Sequence, residues 1–174
     1  MQFTTIKESK PENLQLIQKA NNLLEQATMD VRRITHNMMP GLLTKYGFFE
    51  AIEDLMEKID DSGGVSAKLN ISGEPRRFPE KSEIMLYRII QEMAHNTIKH
   101  ANATRITLDI HVLPNRININ YHDDGQGFDA EEMLKKKSIG LTSIQSRVSF
   151  LGGKLKIDSS PSKGTTFYIE AIIN

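Results

Sequence analysis

The chain has 174 residues, with 22 Lys plus Arg balanced by 22 Asp plus Glu, 39% hydrophobic residues and no cysteine. Those figures fit one globular domain, or one domain with an appendage, and exclude a disulfide framework, a thiolate zinc site and a cysteine nucleophile, which points to a reducing, cytoplasmic setting. Zero net charge, with Lys135, Lys136 and Lys137 as the only basic cluster, excludes a surface charged for nucleic acid. No apolar run approaches the ~18 to 20 residues of a membrane span, and the opening MQFTTIKESK lacks a signal-peptide core, so no membrane contact is expected of this chain.

In chain order, residues 12–39 come first. Apolar or small residues at Ile17, Ala20, Leu24, Ala27, Val31, Ile34 and Met38 alternate by three and four, a heptad seam on one long helix. Pro11 suits its first turn, and Pro40 with Gly41 stops it after roughly 40 Å at 1.5 Å per residue. Such a helix either lies on its own core or forms half of a helical hairpin, and the narrow seam favours the hairpin. A shorter helix is expected over 48–59, a turn at 60–64, a strand over 65–71 and a loop over 72–79. Helical periods return over 80–100, through Met85, Ile89, Met93 and through Leu86, Ile90, Thr97. Two strand-like runs, 105–112 and 116–121, flank the turn Leu113-Pro114-Asn115. A glycine-rich loop, a helix over 141–151, and strands over 154–158 and 165–173 complete the pattern. Helices mixed with hairpin-linked strands predict an α+β fold, a two-layer α/β sandwich with helices on one face of a mixed sheet, preceded by the long N-terminal helix.

On the 80–100 helix, Glu92, Asn96 and Lys99 are spaced by four and three and share one face, with His100 at its edge. An exposed Glu and Lys pair would account for that spacing as well. After a strand comes Asp123-Asp124-Gly125-Gln126-Gly127-Phe128. A carboxylate followed by two glycines suits a purine, because the carboxylate accepts from an exocyclic amine and the glycines let the backbone approach; a tight turn would use the same residues. Ser138-Ile139-Gly140-Leu141 opens the next helix, whose free N–H groups could hold phosphate oxygens, and Gly164-Thr165-Thr166 offers hydroxyls.

Together, Glu92-x-x-x-Asn96-x-x-Lys99-His100, Asp123-x-Gly125-x-Gly127, Gly140-Leu141 and Gly164-Thr165 resemble the N, G1, G2 and G3 boxes of the Bergerat, or GHKL, ATP-binding domain of sensor histidine kinases, Hsp90, DNA gyrase and MutL. The stretch 31–40, with Leu43 and Gly47, resembles the second dimerisation helix of bacterial two-component kinases related to nitrate sensors and the desaturase thermosensor, and residues 148–155 extend the likeness. The resemblance implies a division into 1–46, the second helix of the dimerisation region, and 47–174, the ATP-binding catalytic domain. It implies ATP and magnesium as cofactors, with Asn96 holding the metal, Glu92 acting through water, Lys99 contacting the phosphates, and His100 among the ATP-binding residues. Asp123 would accept the adenine amine beside Gly125 and Gly127, Thr165 would back the base, and residues 128–140 would form a lid hinged at Gly140 and Leu141.

Two departures from the pattern are visible. Ser138 stands where the G2 box begins with glycine, and His95 precedes Asn96, where packing, or a contact to a residue that holds the metal, is the expected role rather than metal ligation. The resemblance also implies a phosphoacceptor histidine on a first dimerisation helix, expected upstream of this chain. His36 is a poor substitute, because Asn37 follows it and offers no base. The intact protein is expected to be a cytoplasmic or membrane-anchored homodimer that phosphorylates a response regulator. A nucleotide-binding signalling module without kinase activity is the alternative, and His111 and His122 need no special role.

Overall fold

The computed structural model describes residues 41–130 and 138–173. The chain divides between Pro40 and Gly41 into two units, and every described element belongs to the second, Gly41–Asn174. The heptad seam from Ile17 to Met38, His36 and residues 131–137 of the expected lid lie outside the described residues.

The unit begins with helices α1 (Gly41–Tyr46) and α2 (Phe48–Asp61), followed by strand β1 (Ser66–Gly73) and helix α3 (Glu80–Asn96). A π-helical turn (Thr97–Ala101) leads to β2 (Arg105–Val112) and β3 (Arg116–Asp123); helix α4 (Ile139–Phe150) precedes β4 (Lys154–Ser159) and β5 (Thr165–Ile172). The sheet runs β1-β2-β3-β5-β4, with β1 and β2 parallel and every other pair antiparallel. The parallel pair follows from the crossover through α3, while the short turn closed by Leu113 N–H to the Arg116 carbonyl makes β2 and β3 a hairpin.

Period-two alternation decides which way each strand faces. Ile106, Leu108 and Ile110 on β2, Ile117, Ile119 and Tyr121 on β3, and Phe167, Ile169 and Ala171 on β5 are buried, and the residues between them are polar or exposed. They share one core with Phe48, Ile52 and Met56 of α2, Leu86, Ile89, Ile90 and Met93 of α3, and Leu141, Ile144 and Val148 of α4. This is the expected two-layer sandwich. No helix among the described residues is long and apolar enough to cross a membrane.

Two differences from the sequence reading go beyond a residue or two at the end of an element. Leu43 is buried in the core, so α1 packs with α2 and the compact unit starts at Gly41 rather than at Gly47. The helix expected over 80–100 is α-helical only to Asn96; one wider π turn follows and ends at Asn102 in the left-handed region (φ 52°). Tertiary bonds hold that turn open: the Ala101 and His100 carbonyls accept from the backbone and side chain of Gln126, and the Thr97 hydroxyl is drawn inward to Asp123.

At the other end of α3, buried Glu83 reaches back to the segment before the helix. Its Oε1 accepts from Phe78 N–H at 3.0 Å and from Arg77 Nε at 2.9 Å. Glu83→Ala would leave the buried Phe78 N–H without a partner, so a loss on the order of 2 kcal/mol is expected in urea unfolding. A loss within a few tenths of a kcal/mol would show that the bond contributes nothing net.

Candidate nucleotide site

Helix α3 ends with Glu92 and Asn96 one turn apart, both half-buried. The first turn of α4 lies against them. A Cβ at Gly140 would stand 2.6 Å from Glu92 Oε1 and 3.3 Å from Asn96 Nδ2, so a larger residue there would push the Glu92 carboxylate aside. Gly140, far along the chain, therefore meets Glu92 and Asn96. Ser138 caps α4 at φ −55° and ψ 140°, extended backbone that any residue adopts, so serine in place of the usual glycine introduces no strain. Its hydroxyl makes no capping bond. Among the described residues no three or more His, Asp or Glu side chains converge as metal ligands.

The second half of the site is built on the end of β3. Asp123 keeps the phase of Ile117, Ile119 and Tyr121 and so points inward, where it is 2% exposed; Thr165 is its register partner on β5. Gly125 N–H donates to Asp123 Oδ1 at 3.0 Å, Thr97 Oγ1 donates to Oδ2 at 3.1 Å, and Tyr121 Oη donates to Thr97 Oγ1 at 2.8 Å. Burial pushes the Asp123 carboxyl above its ordinary range, opposed by the Gly125 and Thr97 bonds and by His122.

Asp124 points the other way and has a different task. Its carboxylate accepts from the Thr104 N–H, the Thr104 hydroxyl and the Arg105 N–H, tying the loop to the start of β2. Its slight burial acts upward, but those bonds outweigh it and hold the carboxyl below its usual range.

The glycines fit the loop against its neighbours. A Cβ on Gly125 would come within 2.6 Å of the Ala101 side chain, so this residue lets the loop seat on the π turn. Gly127 (φ 61°) is in the left-handed region, and a Cβ there would overlap the Ser160 carbonyl oxygen. Ser159 Oγ accepts from Phe128 N–H, donates to the Gly164 carbonyl and lies 3.0 Å from Thr165 Oγ1.

Of the residues singled out by the sequence, Glu92, Asn96 and Gly140 form one group, and Asp123, Gly125, Gly127 and Thr165 another. Thr97, next to Asn96 in the chain and bonded to Asp123, joins them. Leu141 is buried in the core behind Gly140, whereas Lys99 and His100 are exposed on the π turn, where His100 is engaged through its carbonyl. His95 is exposed rather than packed. His111 and His122 bond Ser72 and Thr166 across the outer face of the sheet. Sequence reasoning missed Tyr121 and Ser159 and read Thr97 only as a core position. A tyrosine in an inward position otherwise held by isoleucine was the available signal, since a buried phenol needs a partner.

The sequence matches the family described as histidine kinase-, DNA gyrase B-, and HSP90-like ATPase over residues 81–172. It is 31% identical over 158 residues to the signal transduction histidine-protein kinase/phosphatase DegS of Brevibacillus brevis, covering 91% of this chain and 41% of that protein. To the sensor histidine kinase ComP of Bacillus subtilis it is 33% identical over 156 residues, covering 89% of this chain and 20% of ComP. The chain thus spans less than half the length of either relative. The solved histidine kinase domain of the Erythrobacter litoralis EL346 blue-light activated kinase superposes with a TM-score of 0.57 at 20% identity, covering 70% of this chain and 58% of that one, a likeness of fold. With the matched span covering more than half of the chain, the chain belongs to the histidine kinase-, DNA gyrase B-, and HSP90-like ATPase family.

Proposed function

We propose that this chain is the ATP-binding catalytic part of a bacterial sensor histidine kinase. In the intact homodimer, the γ-phosphoryl group of ATP passes to a histidine and then to an aspartate of a response regulator. The observation that carries the reading is that Thr97, next to Asn96 and bonded to Asp123, links two chemically distinct ends: a buried carboxylate with glycine neighbours at Asp123, and a carboxylate with an amide at Glu92 and Asn96 beside a helix N-terminus. A nucleotide needs both, one end for its base and one for its phosphates.

In this reading Asp123 accepts from the adenine amine, Gly125 and Gly127 form the wall of that pocket, and Thr165 supports the base. Lys99 contacts the phosphates, His100 is among the nucleotide-binding residues, and residues 128–140 form a lid over the phosphates hinged at Gly140 and Leu141. Glu92 and Asn96 supply hard oxygen donors of the kind magnesium takes in small number alongside waters and phosphates. Asn96 would hold that ion and Glu92 would act through its water. Magnesium, when bound, supplies neutralisation of phosphate charge. The protein contributes positioning and exclusion of water rather than a covalent catalyst. Residues 1–46 are assigned to the second dimerisation helix and its exit, and 47–174 to catalysis. A cytoplasmic location, with any membrane anchor elsewhere in the intact protein, belongs to the same reading.

Asn96→Ala is expected to lose the magnesium-dependent part of ATP affinity and to keep most ADP affinity measured without metal. Titrations with and without magnesium check this; equal gains from the metal in both proteins would remove Asn96 as its ligand. The chain alone, incubated with labelled ATP, is expected to yield no acid-labile phosphohistidine, because the acceptor is assigned to an upstream helix. Labelling abolished by His36→Gln would instead make His36 the acceptor.

A further inference from the structure

The base-recognition carboxylate is held by a chain of hydroxyls that runs in one direction. Tyr121 is fully buried, and its hydroxyl has a single hydrogen-bond partner among the described residues, Thr97 Oγ1 at 2.8 Å. Burial pushes the phenol far above its ordinary range, so Tyr121 is a neutral O–H that has to donate somewhere. Once Thr97 Oγ1 accepts that proton, its own O–H is left to point at Asp123 Oδ2, 3.1 Å away. The other carboxylate oxygen already accepts Gly125 N–H. Both protein partners of the carboxylate therefore demand acceptors, and neither can receive a proton from it.

We infer that Tyr121 and Thr97 form a one-way hydrogen-bond relay that fixes Asp123 as an acceptor-only carboxylate, making the site select a ring amine, as in adenine, over a ring carbonyl, as in guanine or hypoxanthine. The inference rests on the nucleotide reading above and adds to it the residues that set base specificity. An aspartate buried this deeply is pushed toward its neutral form. A neutral Asp123 would carry an O–H and could donate to a purine carbonyl; an ionised one can only accept. The Gly125 N–H and the relay together favour the accepting form, and the relay is the part that side-chain substitution can remove. The charged neighbours acting on Asp123 are His122, which favours its ionised form, and Asp124, which opposes it. Its register partners Ile106 and Thr165, and Thr97 on the π turn, carry no charge.

Thr97 also follows Asn96 directly, so the residue that orients the base acceptor is anchored to the residue proposed to face the phosphates. Thr97 and Tyr121 are positioning residues and touch no reacting atom. Their test must therefore read Asp123 itself.

The experiment measures the carboxyl-carbon titration of Asp123 by NMR in the nucleotide-free protein, and the affinities for ADP and inosine diphosphate by calorimetry at pH 5.5 and 8. The proteins compared are wild type, Thr97→Val, Thr97→Ser and Tyr121→Phe, each first shown to be folded by circular dichroism. Thr97→Val is expected to raise the Asp123 midpoint, weaken ADP by about tenfold and narrow the ADP to inosine diphosphate ratio by a similar factor, most strongly at pH 5.5. Thr97→Ser keeps the hydroxyl and should behave as wild type. Tyr121→Phe, which leaves the Thr97 to Asp123 contact but frees its direction, should shift the same quantities less; it carries the test if Thr97→Val does not fold. An unchanged Asp123 midpoint and an unchanged ratio in folded Thr97→Val overturn the relay, as does Thr97→Ser behaving like Thr97→Val. Wild type binding neither diphosphate would refute the nucleotide reading and the selectivity, while the titration would still judge whether the relay holds Asp123 ionised.

Discussion

Asp123→Asn is expected to weaken ADP binding by about 10- to 100-fold, the usual range for losing a hydrogen bond to a charged acceptor, while leaving the fold intact. The amide offers a neutral acceptor and turns a donor toward either the adenine amine or Thr97. The effect on stability has the opposite sign. Because burial raises the Asp123 carboxyl above its unfolded value, the folded state binds the proton more tightly, and stability falls as pH rises from the ordinary carboxylate range through the raised value. That loss is fully present at neutral pH and absent well below the unfolded value. Asparagine removes it, so the variant's thermal midpoint at pH 7 should equal or exceed that of wild type, with the difference shrinking in acid. Calorimetric titration and thermal unfolding at pH 4 and 7 check both halves. Unchanged ADP affinity would remove Asp123 from the base pocket, and a large drop in thermal midpoint would mean its role is structural.

Gly164→Ala is expected to cost about 3 kcal/mol or more and to abolish nucleotide binding with it. Gly164 has φ 71°, and its Cβ would overlap the carbonyl oxygen of Asp123 and stand 3.2 Å from Asp124 Cα. Backbone atoms at the end of a paired strand cannot move aside without disturbing the carboxylate they carry. Gly63 provides the comparison, since it has the same φ of 71° with nothing within 4 Å of its Cβ position. Gly63→Ala should cost only the left-handed conformation, about 1 kcal/mol. Urea unfolding of the two variants separates collision from backbone preference. Equal losses would show that the approach of Gly164 to Asp123 is not what requires glycine.

The local pattern of the chain was enough to place most of the elements. The strand-like runs 105–112 and 116–121 around the turn Leu113-Pro114-Asn115 marked the hairpin, which the structure extends to Asp123, because a strand turns every second side chain inward whatever it pairs with. The same alternation separates adjacent Asp123 and Asp124 into an inward and an outward carboxylate. Spacing put Glu92 and Asn96 on one helical turn, and the glycines of the loops were visible as glycines.

Only the tertiary structure decided what those residues meet. The opposite shifts of Asp123 and Asp124 depend on burial against the π turn in one case and on the Thr104 and Arg105 donors in the other, partners that lie well back along the chain. The change from α to π at Thr97 leaves no mark in a helical period, because bonds to Gln126 and Asp123 from outside the helix hold the turn open. That Gly140 at the start of α4 lies against Glu92 and Asn96, and that Ser138 occupies backbone any residue adopts, follow from how α4 is seated on α3 and not from the spacing of the boxes. Periodicity reports how a segment faces its own axis. Which donor reaches which acceptor across the fold is set by how the helices and the sheet come together.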